Sequence, residues 1–211
     1  ILRLTKELKT GKPLQYVLGT TEFYGYSLNV NSSVLIPRQE TEELVHWILQ
    51  ENADFTGNIL DIGTGSGSIA IALAGNLPKA EVYALDYDAS IIQQTVQNAE
   101  KNQVHIHPVV LDILKDIPHS RQYGTIVSNP PYVRDSEKKW MHKNVLDFEP
   151  ETALFVNDNN PLIFYRRITE IALEQLISGG KLYFEINEHL ADETLKKKKK
   201  IHFTEVTLKH D

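Results

Sequence analysis

The sequence predicts an α/β protein in which a mostly parallel sheet is covered by helices on both faces. From residue 57 onward, short apolar runs alternate with longer amphipathic segments, a pattern typical of parallel sheets with helical crossovers. The 211 residues are 41% hydrophobic and 24% charged, an ordinary composition for a globular domain with a sizeable core. Ligands of such sheets bind beyond the carboxyl ends of the strands, so the segments that follow each strand are the first place to look for a site.

The composition argues against several classes of protein. The chain has no cysteine, which excludes disulfides and thiolate metal sites. Its eight histidines are scattered, so we expect no metal. The net charge of −6 argues against direct binding of nucleic acid, which favours basic surfaces. No apolar run approaches the roughly 20 residues of a membrane helix, and no signal peptide is visible. We therefore expect a cytoplasmic protein without a membrane partner, and we expect a monomer.

The first 56 residues divide into two short regions. Residues 1–22 are predicted to be the end of an N-terminal helical domain and a linker, with one helix ending at Gly11. Residues 23–56 are predicted to form a β-hairpin over Phe23–Val34, with its turn at residues 31–33, and a bridging helix over Glu40–Gln50. Residues 57–211 then form the main domain.

The main domain is predicted to contain six strands and three helices. The strands are Asn58–Ile62, Glu81–Leu85, His105–Leu111, Thr125–Ser128, Lys181–Ile186 and Phe203–Leu208, and the helices are Ser68–Leu77, Ala89–Lys101 and Leu162–Ile177. Gly179 and Gly180 are typical of the end of a helix. We assign no function to the run of five lysines from Lys196 to Lys200.

A glycine-rich loop follows the first strand of this domain. The segment is LDIGTGSGS, from Leu60 to Ser68, and its glycines permit a tight turn and close approach of backbone N–H groups to a ligand. Asp86 ends the next strand, at a distance along the chain from which an acid reaches ribose hydroxyls. A dinucleotide-binding fingerprint would need glycine where Ser68 stands. The pattern is instead GxGxG, with Asp61 two residues before it.

This loop resembles the first motif of class I S-adenosylmethionine-dependent methyltransferases. The resemblance implies a Rossmann-like, mostly parallel seven-stranded sheet with S-adenosylmethionine as cofactor and S-adenosylhomocysteine as product. The implied cofactor-binding residues are Gly63, Thr64, Gly65, Ser66, Gly67, Asp86, Asp112, Ile113 and Asn129. Asp112 would lie near the adenine, although an aspartate after a strand equally serves as a turn residue.

The segment SNPPY follows the strand Thr125–Ser128, which we place next to the first strand. Amide and aromatic amine nitrogens are poor nucleophiles because their lone pairs are delocalised. The side-chain carbonyl of Asn129 and the main-chain carbonyl of Pro130 can accept the two N–H groups of such a target, which favours its developing positive charge and aims it at the methyl carbon. Pro130 and Pro131 stiffen this mounting, and Tyr132 offers a flat face for stacking.

The NPPY segment together with GxGxG resembles methyltransferases that act on planar NH2 groups. Three further segments, GKPLQYVLGTTEFYGYSLNV, VLIPRQETEELV and DFEPETAL, resemble the protein-(glutamine-N5) methyltransferases that modify peptide chain release factors. The similarity extends from about Gly11 to Ile186, and Gln39 stands where that family usually has proline. It implies transfer to the glutamine of a GGQ loop, bound over Tyr132 and the hairpin with Leu35 packed against it.

Other residues near these segments are expected to be structural. Arg38 and Glu42 are expected to brace the hairpin on the main domain. Glu149 and Pro150 either shape a loop over the site or cap the next segment. Trp140 and Phe148 are expected in core packing.

Three other functions remain open at this point. They are glutamine methylation of a large-subunit ribosomal protein, adenine-N6 methylation of DNA, and a non-catalytic binding module. The net charge disfavours the second, and the intact loop, Asp86 and Asn129 disfavour the third.

Overall fold

The computed structural model describes residues 2–118, 121–187 and 203–209. The strands within these ranges are β1 Thr20–Phe23, β2 Tyr26–Asn29, β3 Asn58–Ile62, β4 Glu81–Asp86, β5 His107–Val110, β6 Tyr123–Ser128, β7 Val133–Arg134, β8 Phe155–Val156 and β9 Leu176–Phe184. The helices are α1 Leu2–Leu8, α2 Leu14–Leu18, α3 Gln39–Glu51, α4 Ser68–Asn76, α5 Ala89–Lys101, α6 Lys143–Phe148, α7 Glu151–Leu154 and α8 Ile163–Gln175, with a 3-10 helix over Asp135–Trp140.

The central sheet has the order β5-β4-β3-β6-β9, and every neighbouring pair is parallel. This confirms the α/β class and the mostly parallel sheet, and it confirms that β6 lies beside β3. Strands β3 and β6 are buried along almost their whole length, because helices cover both faces of the sheet. The carboxyl ends of β3 and β6 therefore meet, and the glycine loop and the SNPPY segment leave the sheet side by side.

The sheet differs from the prediction in the number of its strands. Five strands form the central sheet of the described structure, where seven were expected. Phe203–Leu208 was expected to be a strand, and this prediction is wrong because residues 203–209 pair with no strand in the described structure. The alternating apolar residues there indicated a strand, but local alternation does not supply a neighbouring strand to pair with. The lysine run from Lys196 to Lys200 lies outside the described residues.

The predicted hairpin turn is also wrong. Strands β1 and β2 pair across Tyr24 and Gly25, with Phe23 opposite Tyr26. Both turn residues have positive φ, 48° and 82°, which gives the two-residue hairpin turn whose twist matches that of the strands. Residues 31–33 form a separate turn after the hairpin, in which the Asn31 side chain accepts the N–H of Ser33.

Helix α8 ends at Gln175 rather than at Ile177. Strand β9 begins directly afterwards at Leu176 and contains Gly179 and Gly180. Its pairing with β6 is irregular between Tyr123 and Thr125. The glycines therefore belong to a distorted strand and not to the end of the helix.

No described helix has the length and apolar character needed to cross a membrane.

Candidate active site

A cavity of about 410 Å³ opens at the carboxyl ends of β3, β4 and β6. This volume lies in the range of small-molecule sites, about 300–1000 Å³. Its wall contains the glycine loop, the acid at the end of β4 and the segment after β6. The predicted site residues that line it are Leu35, Gly63, Thr64, Gly65, Ser66, Asp86, Asp112, Ile113, Asn129, Pro130 and Pro131.

The glycine loop turns sharply at the end of β3. The N–H groups of Gly63 and Thr64 both donate to the carbonyl of Leu85 at 2.9 Å, which fastens the loop to the end of β4. Gly65 has a φ of +54°, and a Cβ placed on it would meet no atom within 4 Å. Its backbone therefore borders open cavity, where a ligand can approach closely.

Gly67 has a different role from the other two glycines. It does not line the cavity, and its φ is +85°. A Cβ on Gly67 would lie 2.8 Å from the Cγ2 of Thr95 and 3.1 Å from the Cδ1 of Ile71. Gly67 is therefore needed for the close packing of the loop on α4 and α5, and its predicted contact with the cofactor is not tested by this geometry.

Asp61 lies beneath the glycine loop and is fully buried. Its Oδ2 accepts the hydroxyl of Thr64 at 2.7 Å and the N–H of Ala70 at 3.2 Å. Its Oδ1 has no partner among the described residues. Burial raises the pKa of Asp61 to about 7, and the charge of Asp86 acts in the same direction. Asp61 therefore holds the loop from below and keeps one acceptor oxygen unused among the described residues.

Asp86 lies at the end of β4 and is 6% exposed. Its Oδ2 accepts the N–H of Gly65 at 3.0 Å, and its Oδ1 accepts the N–H of Tyr87 at 2.8 Å. Each oxygen keeps further acceptor capacity. Burial raises the pKa of this carboxyl although three backbone hydrogen bonds lower it. Asp86 can therefore both hold the loop and accept hydroxyl groups of a ligand.

Asp112 is a turn residue that also lines the cavity, and its contact with the adenine stays a prediction. It lines the cavity, and its Oδ1 also accepts the N–H of Leu114 at 3.0 Å, as in a turn. A hydrogen bond from Lys115 lowers the pKa of the Asp112 carboxyl. The neighbouring Ile113 is buried and adds apolar surface to the same wall.

Asn129 extends from the end of β6 into the cavity wall. The adjacent Ser128 donates its hydroxyl to the carbonyl of Ile62 at 2.7 Å, which fixes this segment beside the glycine loop. The Nδ2 of Asn129 donates to the hydroxyl oxygen of Thr41 at 3.1 Å. No hydrogen bond from a described residue reaches its Oδ1. The side-chain carbonyl of Asn129 therefore remains available to accept an N–H group.

Tyr132 does not line the cavity. Its ring packs against Leu162 and Tyr165, and its hydroxyl donates to the Oε1 of Glu185 at 3.0 Å. Burial is the main reason that the pKa of Tyr132 is raised, and the charge of Glu185 acts in the same direction. Tyr132 is therefore anchored beside the site, and its stacking on a substrate stays a prediction.

The residues expected to be structural have distinct roles. Glu42 accepts the N–H of Tyr24 in the hairpin turn at 2.6 Å, which confirms that it braces the hairpin. Arg38 instead forms an ion pair with the buried Glu149 at 2.6 Å. It joins the linker to the loop before α7, where Pro150 is the N-cap residue.

The two aromatic residues in the long loop differ from each other. Phe148 packs on a small buried cluster that includes Tyr16 and Ile36, as expected. Trp140 is 80% exposed, so its assignment to the core is wrong. Trp140 is the last residue of the 3-10 helix Asp135–Trp140. Polar contacts stabilise this helix, among them the Arg134–Glu137 ion pair, so it does not need the indole for packing.

Three functional residues were missed by the reasoning from sequence. Thr41 and Glu185 support Asn129 and Tyr132. Asn98 joins the hairpin to the glycine loop, because its amide bonds the backbone N–H and carbonyl of Asn29 and also donates to the carbonyl of Ser66 at 2.8 Å. Asparagine in the middle of a helix is a weak helix former, which is the signal that could have marked Asn98. Thr41 and Glu185 carry no such signal.

The sequence also did not predict that three residues of metal-ligating type lie together. Glu81, His105 and His107 lie together at the amino ends of β4 and β5, away from the cavity.

The donor and acceptor groups of the cavity fit S-adenosylmethionine. Asp86 lines the cavity and offers acceptors for ribose hydroxyls, and Asp61, buried beneath the loop and not itself in the cavity wall, keeps one acceptor oxygen without a described partner. The glycine loop leaves open space beside its backbone at Gly63 and Gly65. Apolar side chains, including Ile91, Leu111 and Ile113, line the remaining wall, as an adenine ring requires.

Comparison with known proteins agrees with this geometry. A family model described as the methyltransferase small domain matches residues 39–148. Among solved structures, the catalytic domain of human Mettl16 in complex with a 3′UTR hairpin has a TM-score of 0.66 at 21% identity, over 89% of this chain and 71% of that one. A human methyltransferase 10 domain containing protein has a TM-score of 0.58 at 20% identity, over 84% and 79% of the two chains. These likenesses show the class I methyltransferase fold.

Curated relatives are much more similar in sequence. The release factor glutamine methyltransferase of Flavobacterium psychrophilum is 50% identical over 209 residues, which cover 97% of this chain and 73% of the relative. The enzyme of the same name from Bacteroides thetaiotaomicron is 49% identical over 186 residues, which cover 86% of this chain and 65% of the relative. The chain thus spans about two thirds to three quarters of the length of these relatives. With this similarity, this fold and this site, the chain belongs to the release factor glutamine methyltransferase family.

Proposed function

We propose that this protein transfers a methyl group from S-adenosylmethionine to the side-chain amide nitrogen of the glutamine in the GGQ loop of peptide chain release factors. One observation carries the chemistry: the amide of Asn129 lies in the cavity wall beside the glycine loop, held through its Nδ2, with its Oδ1 free of described partners. A fixed carbonyl at this place suits a substrate that must present an N–H.

The residues of the chain divide the work of the reaction. S-adenosylmethionine, when bound, would supply an electrophilic methyl group attached to a sulfonium sulfur, and this sulfur would depart as a neutral thioether. Asn129 accepts one N–H of the target amide and the carbonyl of Pro130 accepts the other, which orients the nitrogen lone pair and stabilises its developing positive charge. The new N–C bond forms as the C–S bond breaks. The methylated nitrogen then loses a proton to solvent, so no general base is required before attack.

The rigidity of the site supports this assignment. Pro130 is buried, and Pro131 follows it at the cavity wall. A proline restricts the residue before it to extended backbone angles, so the two carbonyl acceptors keep a fixed separation. Leu35, which is half-buried at the cavity, offers apolar surface for the aliphatic part of a glutamine side chain.

The choice of substrate rests on the relatives. Those with 50% and 49% identity are release factor glutamine methyltransferases. The net charge of −6 disfavours a DNA substrate, since binding of a phosphate backbone needs a basic surface. We expect the reaction in the cytoplasm, where release factors act.

The test is methyl transfer from labelled S-adenosylmethionine to four acceptors in parallel. They are a release factor, the same factor with its GGQ glutamine replaced, a large-subunit ribosomal protein and duplex DNA. We expect label on the intact release factor and none on the replaced one. Label on the ribosomal protein or on DNA alone would refute the proposed substrate, and cofactor binding by calorimetry without any transfer would indicate a non-catalytic module.

A further inference from the structure

Glu185 is an acid that the proposed chemistry does not use. It directly follows β9, whose carboxyl end lies beside β6. Its Oε2 accepts the hydroxyl of Thr41 at 2.6 Å, and its Oε1 accepts the hydroxyl of Tyr132 at 3.0 Å. The carboxylate thus receives donors from α3 and from the segment after β6, two elements that are distant in sequence.

The direction of these hydrogen bonds is determined by the acid. An ionised carboxylate only accepts hydrogen bonds, so the single hydroxyl proton of Thr41 is directed at Glu185. The Thr41 hydroxyl has then no proton left to donate to Asn129, and it can only accept a hydrogen bond from it. The hydroxyl accepts from the Nδ2 of Asn129 at 3.1 Å, and the opposite orientation of the amide would place two acceptors against each other.

The orientation of the Asn129 amide decides what the cavity receives. With Nδ2 on Thr41, the Oδ1 atom is left for a substrate N–H. A reversed amide would present an NH2 group to the substrate N–H groups, and donor would face donor. The side-chain amide of asparagine does not favour either orientation by itself, because its oxygen and its NH2 group have nearly the same shape.

We propose that Glu185 and Thr41 are positioning residues that set the orientation of the Asn129 amide, so that its carbonyl oxygen faces the nitrogen to be methylated. The expected effect on catalysis rests on the proposed function. The structural content of the inference, the direction of the hydrogen bonds from Asn129 through Thr41 to Glu185, holds for any planar NH2 substrate.

Thr41 also couples the site to the hairpin. Thr41 lies in the first turn of α3, and its neighbour Glu42 accepts the N–H of Tyr24 in the hairpin turn. The same turn of helix therefore supports the hairpin and orients the acceptor. The side chain of Asn129 also bonds to the acid directly, which favours the same orientation of its amide. Glu40 in this turn and the hydroxyl of Tyr165, which donates to the backbone carbonyl of Glu185 at 2.9 Å, complete the polar surroundings of the acid.

The first test compares Thr41→Val with Thr41→Ser. Valine keeps the shape of threonine and removes the hydroxyl, whereas serine keeps the hydroxyl. We expect Thr41→Val to lower kcat by about 100-fold, as expected for a misplaced reacting group, with unchanged affinity for S-adenosylmethionine, and Thr41→Ser to retain activity close to that of the wild type.

Thr169→Val is the matched control. Thr169 is a buried threonine of α8 whose hydroxyl donates to the carbonyl of Tyr165 and which does not line the cavity. Its replacement removes a comparable hydrogen bond and should leave kcat unchanged. A kcat of Thr41→Val equal to that of the wild type, or an equal loss in Thr169→Val, would overturn the inference.

Glu185→Gln tests the acid separately. A carboxamide can donate to Thr41, which allows the hydroxyl of Thr41 to donate to Asn129 and the amide of Asn129 to reverse. We expect kcat to fall by about tenfold or more, the equivalent of about one hydrogen bond, with KM for the release factor little changed. Full activity in Glu185→Gln would refute the role of the acid.

A measurement without turnover separates this inference from the proposed function. The side-chain NH2 resonances of Asn129 in a nitrogen-15 spectrum are assigned by their loss in Asn129→Asp. We expect slow hydrogen exchange of this NH2 group in the wild type and in Thr41→Ser, and fast exchange in Thr41→Val. Fast exchange in the wild type would overturn the inference even if the release factor is methylated, and slow exchange would uphold the network even if it is not.

Discussion

Replacement of Asp61 by asparagine should change how the stability of the cofactor-free protein depends on pH. Asp61 is fully buried beneath the glycine loop, and burial raises its pKa from 3.8 to about 7. The folded protein therefore holds this proton at pH values where the unfolded chain has lost it. Ionisation in the folded state then becomes a cost, and stability falls as the pH rises.

The size of the effect follows from the two pKa values. Between 3.8 and about 7, one extra bound proton in the folded state lowers the free energy of unfolding by about 1.4 kcal/mol per pH unit. From pH 5 to pH 7 the loss is about 2 kcal/mol, because the slope declines near the folded-state pKa of about 7. Asparagine has no proton to lose, and its side-chain carbonyl can still accept the bonds from Thr64 and Ala70. The free energy of unfolding of Asp61→Asn, relative to that of the wild type, should therefore increase by about this amount from pH 5 to pH 7.

Urea unfolding of both proteins at pH 5, 6, 7 and 8, followed by circular dichroism, measures this difference. The pKa values of Asp86 and Glu185 are also raised by burial, so the wild type alone loses more stability, and only the difference between the two proteins isolates Asp61. Asp112→Asn is a control in which stability should depend on pH in the opposite direction. Its pKa is lowered by Lys115, so this variant should lose stability near neutral pH and approach the wild type in acid. Parallel curves for Asp61→Asn and the wild type from pH 5 to pH 8 would refute the assignment.

Further substitutions test the separate roles of the site. Asn129→Ala should lower kcat by roughly 100- to 1000-fold without weakening the binding of S-adenosylmethionine measured by calorimetry; an equal loss in binding would contradict its role. Asp86→Ala should weaken that binding by about tenfold to 100-fold, since hydrogen bonds to charged groups contribute about 1.5–3 kcal/mol, and unchanged affinity would exclude the ribose contact. Gly67→Ala should destabilise the fold by about 1–3 kcal/mol through contact with Thr95 and Ile71, and by more than Gly11→Ala, which has a similar φ but meets no atom within 4 Å. Trp140→Ala should leave stability unchanged within about 0.5 kcal/mol because the indole is 80% exposed; a large drop in Tm would show that it packs.

Local patterns predicted most of the central domain. Strands β3, β4 and β6 and helices α4 and α5 lie where the apolar periodicity placed them, because each pattern repeats within a few residues and needs no distant partner. The failures occurred where a partner decides the structure. The hairpin turn lies at Tyr24 and Gly25 rather than at residues 31–33, and residues 203–209 pair with no described strand.

By itself, the sequence determined the parts of the site that are contiguous. The glycine loop, Asp86 at the end of the following strand and the segment from Asn129 to Tyr132 are each read from a spacing of a few residues and from strand ends that meet in a parallel sheet. Apart from Gly67 and Tyr132, these residues line one cavity, which confirms that the strand ends bring the three segments together. The roles of the individual residues remain predictions.

Only the tertiary structure decided how the acceptor is held. Thr41 lies 88 residues from Asn129, and Glu185 lies 53 residues from Tyr132. No periodicity or motif relates positions that far apart, since a hydrogen bond between them exists only after α3, β6 and β9 have packed. The sequence therefore determined which chemical groups border the cavity, whereas the packing of distant elements determined the direction in which the amide of Asn129 is held.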